Sequence, residues 1–242
     1  MNINEWVNEI RPEDRAVSAT ASDLPSLNKI LKRIKNANMN TLIDFGCGYG
    51  GMTKYIASYL NISDIHGIDM DEDRLKQAKT RGINTYKLDL NSDRLPFPDR
   101  SFDLVVSFGV LEHIVYFDNF FSEGYRILAN GGYVILAVPN LGSYVNRLAL
   151  FLGYQPRDVE ISLKVSPGIF PMYPKYSHGF LGHVHSATFR ATKEMLEHYG
   201  FRLIKVAPSS PYQVNKLVKV VDKAFSLWPS LSRRFIVLGI KP

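Results

Sequence analysis

The chain predicts an α/β fold, a mostly parallel, doubly wound sheet covered by helices on both faces. Three observations lead there. A short apolar run, Thr41–Phe45, enters directly a loop holding Gly46, Gly48, Gly50 and Gly51. From there to Pro139, strand-like and helix-like periodicities alternate, the pattern of successive β-α-β units. Phe102–Phe108 is almost wholly apolar, as a strand buried on both faces must be. With 242 residues, 45% of them hydrophobic, one domain with a large core accommodates the pattern.

Asp23 is placed to cap a first helix, with Leu27, Ile30, Leu31 and Ile34 on one face. The first strand is Thr41–Phe45. A helix over Gly51–Leu60 aligns Met52, Tyr55, Ile56 and Tyr59. Strand two is Ile65–Asp69; Asp71 then caps a helix that Gly82 ends from the C′ position. Strand three is read as Thr85–Leu90 and strand four as Phe102–Phe108, with a Pro-containing loop between. A helix to Leu128 passes through a turn at Asn130-Gly131-Gly132 into strand five, Tyr133–Val138. The rhythm breaks after Pro139. Leu141–Gly182 holds a short helix near Val145–Leu152 and then a stretch rich in Pro and Tyr, including Tyr173 and Tyr176. So long a segment without clear elements reads as a lid or binding loop. A helix from Ala191 to Tyr199, strand six at Phe201–Val206, a helix over Gln213–Trp228 and a strand at Arg234–Ile240 complete the order.

Ligands bind beyond the carboxyl ends of the strands in such a sheet. The residues there are Asp44, Asp69, Asp89 and Ser107. A carboxylate just ahead of the glycines repels a diphosphate and attracts a cation, although Gly46, Gly48 and Gly51 also satisfy a dinucleotide-type glycine spacing. Asp69 follows Gly46 at the distance from which an acid reaches ribose hydroxyls. Met70 offers a soft face to adenine, Asp89 an acceptor for its amine and Leu90 an apolar wall. The ligand that fits is a positively charged adenosine without phosphates.

These motifs, Asp44-Phe-Gly-Cys-Gly-Tyr-Gly, Gly67-Ile-Asp69-Met70, Asp89-Leu90 and the run Phe102-Asp-Leu-Val-Val-Ser-Phe-Gly-Val-Leu-Glu-His113, resemble the class I S-adenosylmethionine-dependent methyltransferases. The likeness extends over residues 35–140 and returns at Glu197–Arg202 and Arg234–Pro242. It implies a Rossmann-like sheet of seven strands whose last strand is antiparallel and inserted between strands five and six. It also implies a single domain over 1–242, with a lid or acceptor-binding insertion at 141–185 and an amphipathic helical insertion at 211–230. Pro139-Asn-Leu, Asn146-Arg-Leu, Leu152-Gly-Tyr-Gln-Pro156 and Gly182-His-Val-His185 are similar to a branch thought to modify small molecules or glycans.

The resemblance implies S-adenosyl-L-methionine as cofactor. Gly46, Cys47 and Gly48 would approach its methionine part, with Asp44 near the ammonium. Asp69 and Met70 would hold the ribose and adenine, Asp89 and Leu90 the adenine edge. Ser107, Phe108 and His113 would line the place where the methyl group leaves. Methyl transfer from a sulfonium is an in-line displacement, so acid–base chemistry serves only the acceptor. His113 is the first candidate base, with Glu112 to fix its tautomer or contact the cofactor indirectly, and His183 the second. His185 and His178 follow, and each of these histidines has a packing role as its alternative. Asp103, at the start of its strand, is structural.

Composition bounds the partners. Met1–Ile10 has no apolar core for a signal peptide, and no apolar run is long enough for a membrane span. The single Cys47 fits a reducing, cytoplasmic setting, and the six histidines lack the ligand-spaced cysteines of a zinc site, so no metal is expected. The net charge of +6 is concentrated after Arg202, where Asp222 is the lone acid among Arg202, Lys205, Lys216, Lys219, Lys223, Arg233, Arg234 and Lys241. Nucleic acid is not expected, for no basic-aromatic motif surrounds the site. In the helix at 213–228, Val214, Leu217, Val218, Val221, Ala224, Phe225 and Trp228 form a stripe. Packing of that stripe on the lid or a second copy is the expectation, and peripheral contact with an anionic membrane the alternative. The chain is expected to be a monomer or a homodimer. The function expected is methyl transfer to a small-molecule acceptor, oxygen before nitrogen or carbon. The alternatives are an NAD(P)-dependent oxidoreductase and a protein that binds the cofactor without catalysis.

Overall fold

A computed structural model describes residues 16–171, 182–209 and 216–242. Tyr173, Tyr176, His178 and Val214, singled out above, lie outside the described residues. The order is α1 (Ala16–Ile34), β1 (Thr41–Phe45), α2 (Gly51–Leu60), β2 (Asp64–Asp69), α3 (Glu72–Thr80), β3 (Asn84–Lys87) and β4 (Phe102–Phe108). A 3₁₀ turn (Leu111–His113), α4 (Phe117–Ile127), β5 (Leu128–Pro139) and α5 (Tyr144–Phe151) follow. The chain ends with α6 (Phe189–His198), β6 (Arg202–Ser209), α7 (Lys216–Phe225) and β7 (Arg234–Ile240).

The seven strands form one sheet in the order β3-β2-β1-β4-β5-β7-β6. Pairing from β3 through β5 is parallel, and β7 is antiparallel to both its neighbours. Strand alternation separates two cores. Leu42, Leu104, Val106, Ile135, Ile236 and Leu238 face α1 and α2, where Leu24, Leu27, Ile30, Leu31 and Ile56 meet them. Ile43, Phe45, Val105, Leu136, Phe235 and Val237 face the other way, onto Phe120, Phe121 and Leu196. Asp44, between Ile43 and Phe45, therefore points into the first of these layers.

Four expectations need correction. Asp23 does not cap α1, which begins at Ala16; its buried carboxylate instead accepts from the Ser209 hydroxyl and from Arg234 Nη2 at 3.3 Å. Strand three ends at Lys87, because Asp93 Oδ2 accepts the Asp89 N–H at 2.7 Å and folds the chain into a turn there. The Asn130-Gly131-Gly132 turn is a bulge inside β5: β5 advances from Leu128 to Tyr133 while β4 advances from Phe102 to Leu104, with Gly131 at φ 77°. Finally, α7 turns Asp222 inward and leaves Val221 and Trp228 exposed, so the expected stripe is not its buried face. Asp71 caps α3 as expected, accepting from the N–H groups of Asp73 and Arg74, and Gly82 follows its end at φ 75°.

Candidate functional site

The glycine loop is fixed from below. Gly46 N–H and Cys47 N–H both donate to the Ile68 carbonyl, at 2.8 and 2.9 Å, tying the loop to the end of β2. The two leading glycines then serve different ends. Gly46 has φ +81°, and a Cβ there would lie 2.1 Å from Val110 Cγ2. Its clearance is filled by protein. Gly48 has φ +51°, and a Cβ there would meet no atom within 4 Å. That opening is where a ligand can approach the backbone.

Asp44 is 2% exposed, and its Oδ2 accepts from Thr53 Oγ1 at 2.6 Å. Among the described residues its Oδ1 has no hydrogen-bond partner. Burial pushes the carboxyl up to about 7; the Thr53 hydrogen bond opposes this and the nearby charge of Asp69 adds to it. A buried carboxylate with an open lone pair next to Asp69 suits a cation. Asp69 is half-buried: Oδ2 accepts Gly48 N–H and Oδ1 accepts Asp71 N–H, both at 2.9 Å. Each oxygen keeps a further acceptor site for a hydroxyl. Met70 beside it is exposed.

Asp89 sits in the loop after β3, where Oδ1 accepts the backbone N–H and side-chain amide of Asn91; these bonds hold it below the usual carboxylate range. Leu90 is buried, and its carbonyl accepts from Asn119 of α4, which also bonds the Asp93 carbonyl. Cys47 and Ser107 turn their side chains into the protein. Cys47 is packed against Gly67, where a Cβ would lie 2.6 Å from its Sγ, and burial pushes its thiol up. The Ser107 hydroxyl donates to the Phe45 carbonyl at 2.9 Å, pinning β4 to β1. Phe108 is half-buried against the first core. Asp103 lies at the opposite end of the sheet and accepts from Asn40 N–H, Thr41 N–H and the Thr41 hydroxyl.

Beyond Gly109, the 3₁₀ turn places Glu112 and His113 against the segment 182–188. His113 is exposed, and its Nδ1 lies 3.0 Å from the Gly182 carbonyl. A carbonyl only accepts, so Nδ1 carries the proton and Nε2 the lone pair. Glu112 does not set that tautomer. Its Oε1 lies 3.9 Å from His183 Nε2, and His183 stands edge-on to His113 with ring centroids 5.0 Å apart. Burial holds His183 below the usual histidine range, and its Nδ1 and Glu112 Oε2 lack hydrogen-bond partners among the described residues. Glu160 Oε2 accepts the N–H groups of Gly182 and His183, and the Glu112 carbonyl accepts that of Val184. His185 is removed from this pair: its Nε2 bonds the Ile114 carbonyl and its ring stacks on Phe117.

Sequence reasoning missed Thr53, Val110, Asn91 and Glu160. Thr53 carried a faint signal, a polar position on the buried face of a helix nine residues after Asp44. Glu160 carried none, since its partners lie more than 20 residues away through irregular chain.

Residues 43–136 match the family model described as a methyltransferase domain. The chain is 33% identical over 115 residues to the mitochondrial ubiquinone biosynthesis O-methyltransferase of Candida albicans, covering 44% of this chain and 35% of that one. It is 30% identical over 96 residues to a phthiotriol/phenolphthiotriol dimycocerosates methyltransferase of Mycobacterium tuberculosis, covering 38% and 35%. The chain spans about a third to a half of the length of the curated relatives it matches. In structure it is similar to an S-adenosylmethionine-dependent methyltransferase from Mesorhizobium loti (TM-score 0.59, 17% identity, 90% of this chain and 97% of that one). One from Archaeoglobus fulgidus is similarly related (TM-score 0.58, 18% identity, 91% and 94%).

Proposed function

We infer that this chain, whose residues 43–136 match a methyltransferase-domain model and whose fold is similar to those of S-adenosylmethionine-dependent methyltransferases, is an enzyme that methylates a small-molecule acceptor, oxygen before nitrogen or carbon. The observation that carries this reading is that two adjacent histidines, His113 and His183, stand beyond β4, at the same end of the sheet as Asp44 and Asp69. The dinucleotide alternative loses its ground in the sheet itself. A nicotinamide-binding sheet runs 3-2-1-4-5-6 in parallel, whereas here an antiparallel β7 separates β5 from β6.

The residues present fit the cofactor: Asp44 keeps a buried oxygen with no partner among the described residues, and the Cβ direction of Gly48 is open. When bound, the cofactor supplies a methyl group on a positively charged sulfur. Asp44 and the Gly48 backbone hold the methionine end, Asp69 the ribose, and Asp89 with Leu90 the adenine. His113 takes the acceptor proton on Nε2, because the Gly182 carbonyl fixes the proton on Nδ1. His183, kept neutral by burial, adds no positive charge beside it. Glu112, His183 and Ser186 are buried and keep water from the back of this site.

Calorimetry with S-adenosylmethionine, S-adenosylhomocysteine and NAD tests the cofactor half; binding of the first two and not the third is expected. Turnover of methyl-labelled cofactor with a metabolite extract tests the acceptor half. Label recovered only in protein or nucleic acid sinks the small-molecule reading. With an identified hydroxyl acceptor, His113→Gln lowers kcat by about a hundredfold.

A further inference from the structure

The Gly182 carbonyl that fixes the tautomer of His113 is one end of a peptide group whose other end, the His183 N–H, donates to Glu160 Oε2 at 3.1 Å. The same oxygen accepts the Gly182 N–H at 2.6 Å, and the Glu160 N–H donates to the His183 carbonyl at 3.2 Å. One residue therefore grips the two-residue segment that faces His113 from three points. Bonds from N–H groups to a carboxylate are charge-assisted and stronger than those between neutral partners. Gly182 has φ +79°, and a Cβ there would lie 4.0 Å from His113 Nδ1. The carbonyl is thus aimed by a left-handed turn that glycine permits and Glu160 holds.

Glu160 is itself held in place. It is half-buried in irregular chain. Gln155 Nε2 donates to the carbonyl of the preceding Val159 at 3.0 Å, and the buried Asn146 of α5 donates to Asp158 at 3.0 Å. The Gln155 N–H is tied in turn to the Gly168 carbonyl at 2.7 Å. Beyond His183 the facing segment has anchors of its own, from the Val184 N–H to the Glu112 carbonyl and from His185 to the Ile114 carbonyl. Loss of the Glu160 carboxylate therefore frees residues 182 and 183 while the chain after them stays docked.

We propose that Glu160 is a positioning residue for the proton transfer: it keeps the Gly182 carbonyl on His113 Nδ1 and so leaves Nε2 as the nitrogen that takes the proton. The inference rests on the reading of His113 as the base. When the O–H proton of the acceptor passes to Nε2, the imidazolium charge is met by a line of bonds. Its Nδ1–H donates to the Gly182 carbonyl, the His183 N–H of that peptide donates to the carboxylate, and each bond polarises the next.

Nitrogen NMR of the full chain carrying isotope-labelled histidine reads the tautomer without acceptor or cofactor, at about pH 9, where an ordinary imidazole is neutral. The His113 signal is the one lost in His113→Gln, and that of His66, bonded to Asp64 and Tyr86, reports an intact sheet. The wild type is expected to carry the proton on Nδ1 of His113. Glu160→Ala turns His113 largely to the Nε2–H form that free imidazole prefers, with His66 unchanged. Glu160→Gln, whose carboxamide oxygen still accepts both N–H groups, restores the Nδ1–H form. With an identified hydroxyl acceptor, Glu160→Ala lowers kcat about tenfold at an unchanged KM for S-adenosylmethionine, and Glu160→Gln recovers most of the loss. A proton on Nε2 of His113 in the wild type overturns the proposal, whatever the variants do. So does a tautomer indifferent to Glu160→Ala, or a Glu160→Gln spectrum that matches that of Glu160→Ala. Turnover untouched by His113→Gln, with a tautomer that still follows Glu160, refutes the base and supports the positioning.

Discussion

Asp44 makes the site sensitive to pH through a single carboxyl. Its value of about 7 in the folded chain stands above the ordinary 3.8, so the folded state keeps a proton that the unfolded chain surrenders between those values. This group therefore favours folding most below about pH 4, and its contribution declines as pH climbs to about 7, by on the order of a few kcal/mol. Asp44→Asn removes that slope, which thermal melts of both proteins from pH 4 to 8 would expose as a difference curve, pH values chosen to bracket the shift. A cation beside Asp44 favours its charged form, so S-adenosylmethionine is expected to bind more tightly as pH rises through about 7, with proton release in calorimetry. Affinity in Asp44→Asn that keeps the same pH dependence contradicts this. The glycines make a second contrast. Gly46→Ala drives a methyl into Val110 and costs about 2–3 kcal/mol, whereas Gly48→Ala costs about 1 kcal/mol and loses its effect chiefly in cofactor affinity. The positions of Asp44 and Asp69 at the carboxyl ends of β1 and β2 were legible because each closes an apolar run. The orientation of Cys47 and Ser107 was not, since a motif gives the backbone position while neighbours such as Gly67 and the Phe45 carbonyl decide where the side chain turns.

Elements were legible where one physical signal dominated. β1, α2 and β7 match their expected bounds residue for residue, because an apolar run or an amphipathic repeat met no competing turn. The misreadings have local causes. Asp89, Asn91, Ser92 and Asp93 form a side-chain-bonded turn that ends β3 early, and their polar cluster was itself the available warning. α7 was misread because Asp222 has a stronger claim on burial than Val221 does: its partners, Arg233 Nε at 2.7 Å and the Tyr144 hydroxyl at 2.6 Å, are distant in sequence and invisible to periodicity. Asp222→Ala leaves the Arg233 guanidinium, 12% exposed, without its carboxylate, and is expected to lower stability by about 3 kcal/mol in a denaturant titration. Asp71→Ala, which removes only the exposed cap of α3, is expected to cost about 1 kcal/mol in the same measurement.

At the scale of the molecule, the sheet explains why the site could be anticipated in half and no further. Its proposed cofactor half hangs on β1 to β4, strands whose carboxyl ends fall together by topology. Its proposed acceptor half is assembled from Glu112, His113 and a segment some 70 residues later, joined by the Gly182 carbonyl and Glu160. No periodicity records such a meeting. The same sheet has a temporal side. β7, whose Phe235, Ile236, Val237 and Leu238 are wholly buried, lies inside the sheet although it is the last strand made. While a ribosome is still adding the residues before 234, β5 holds an open, apolar edge that β6 does not close, since β6 pairs only with β7. Nascent chains halted short of Arg234 should therefore be cut by protease throughout β5 and recruit chaperones, and a few further residues should abolish both. Translation, on this view, withholds the keystone until the arch is otherwise standing.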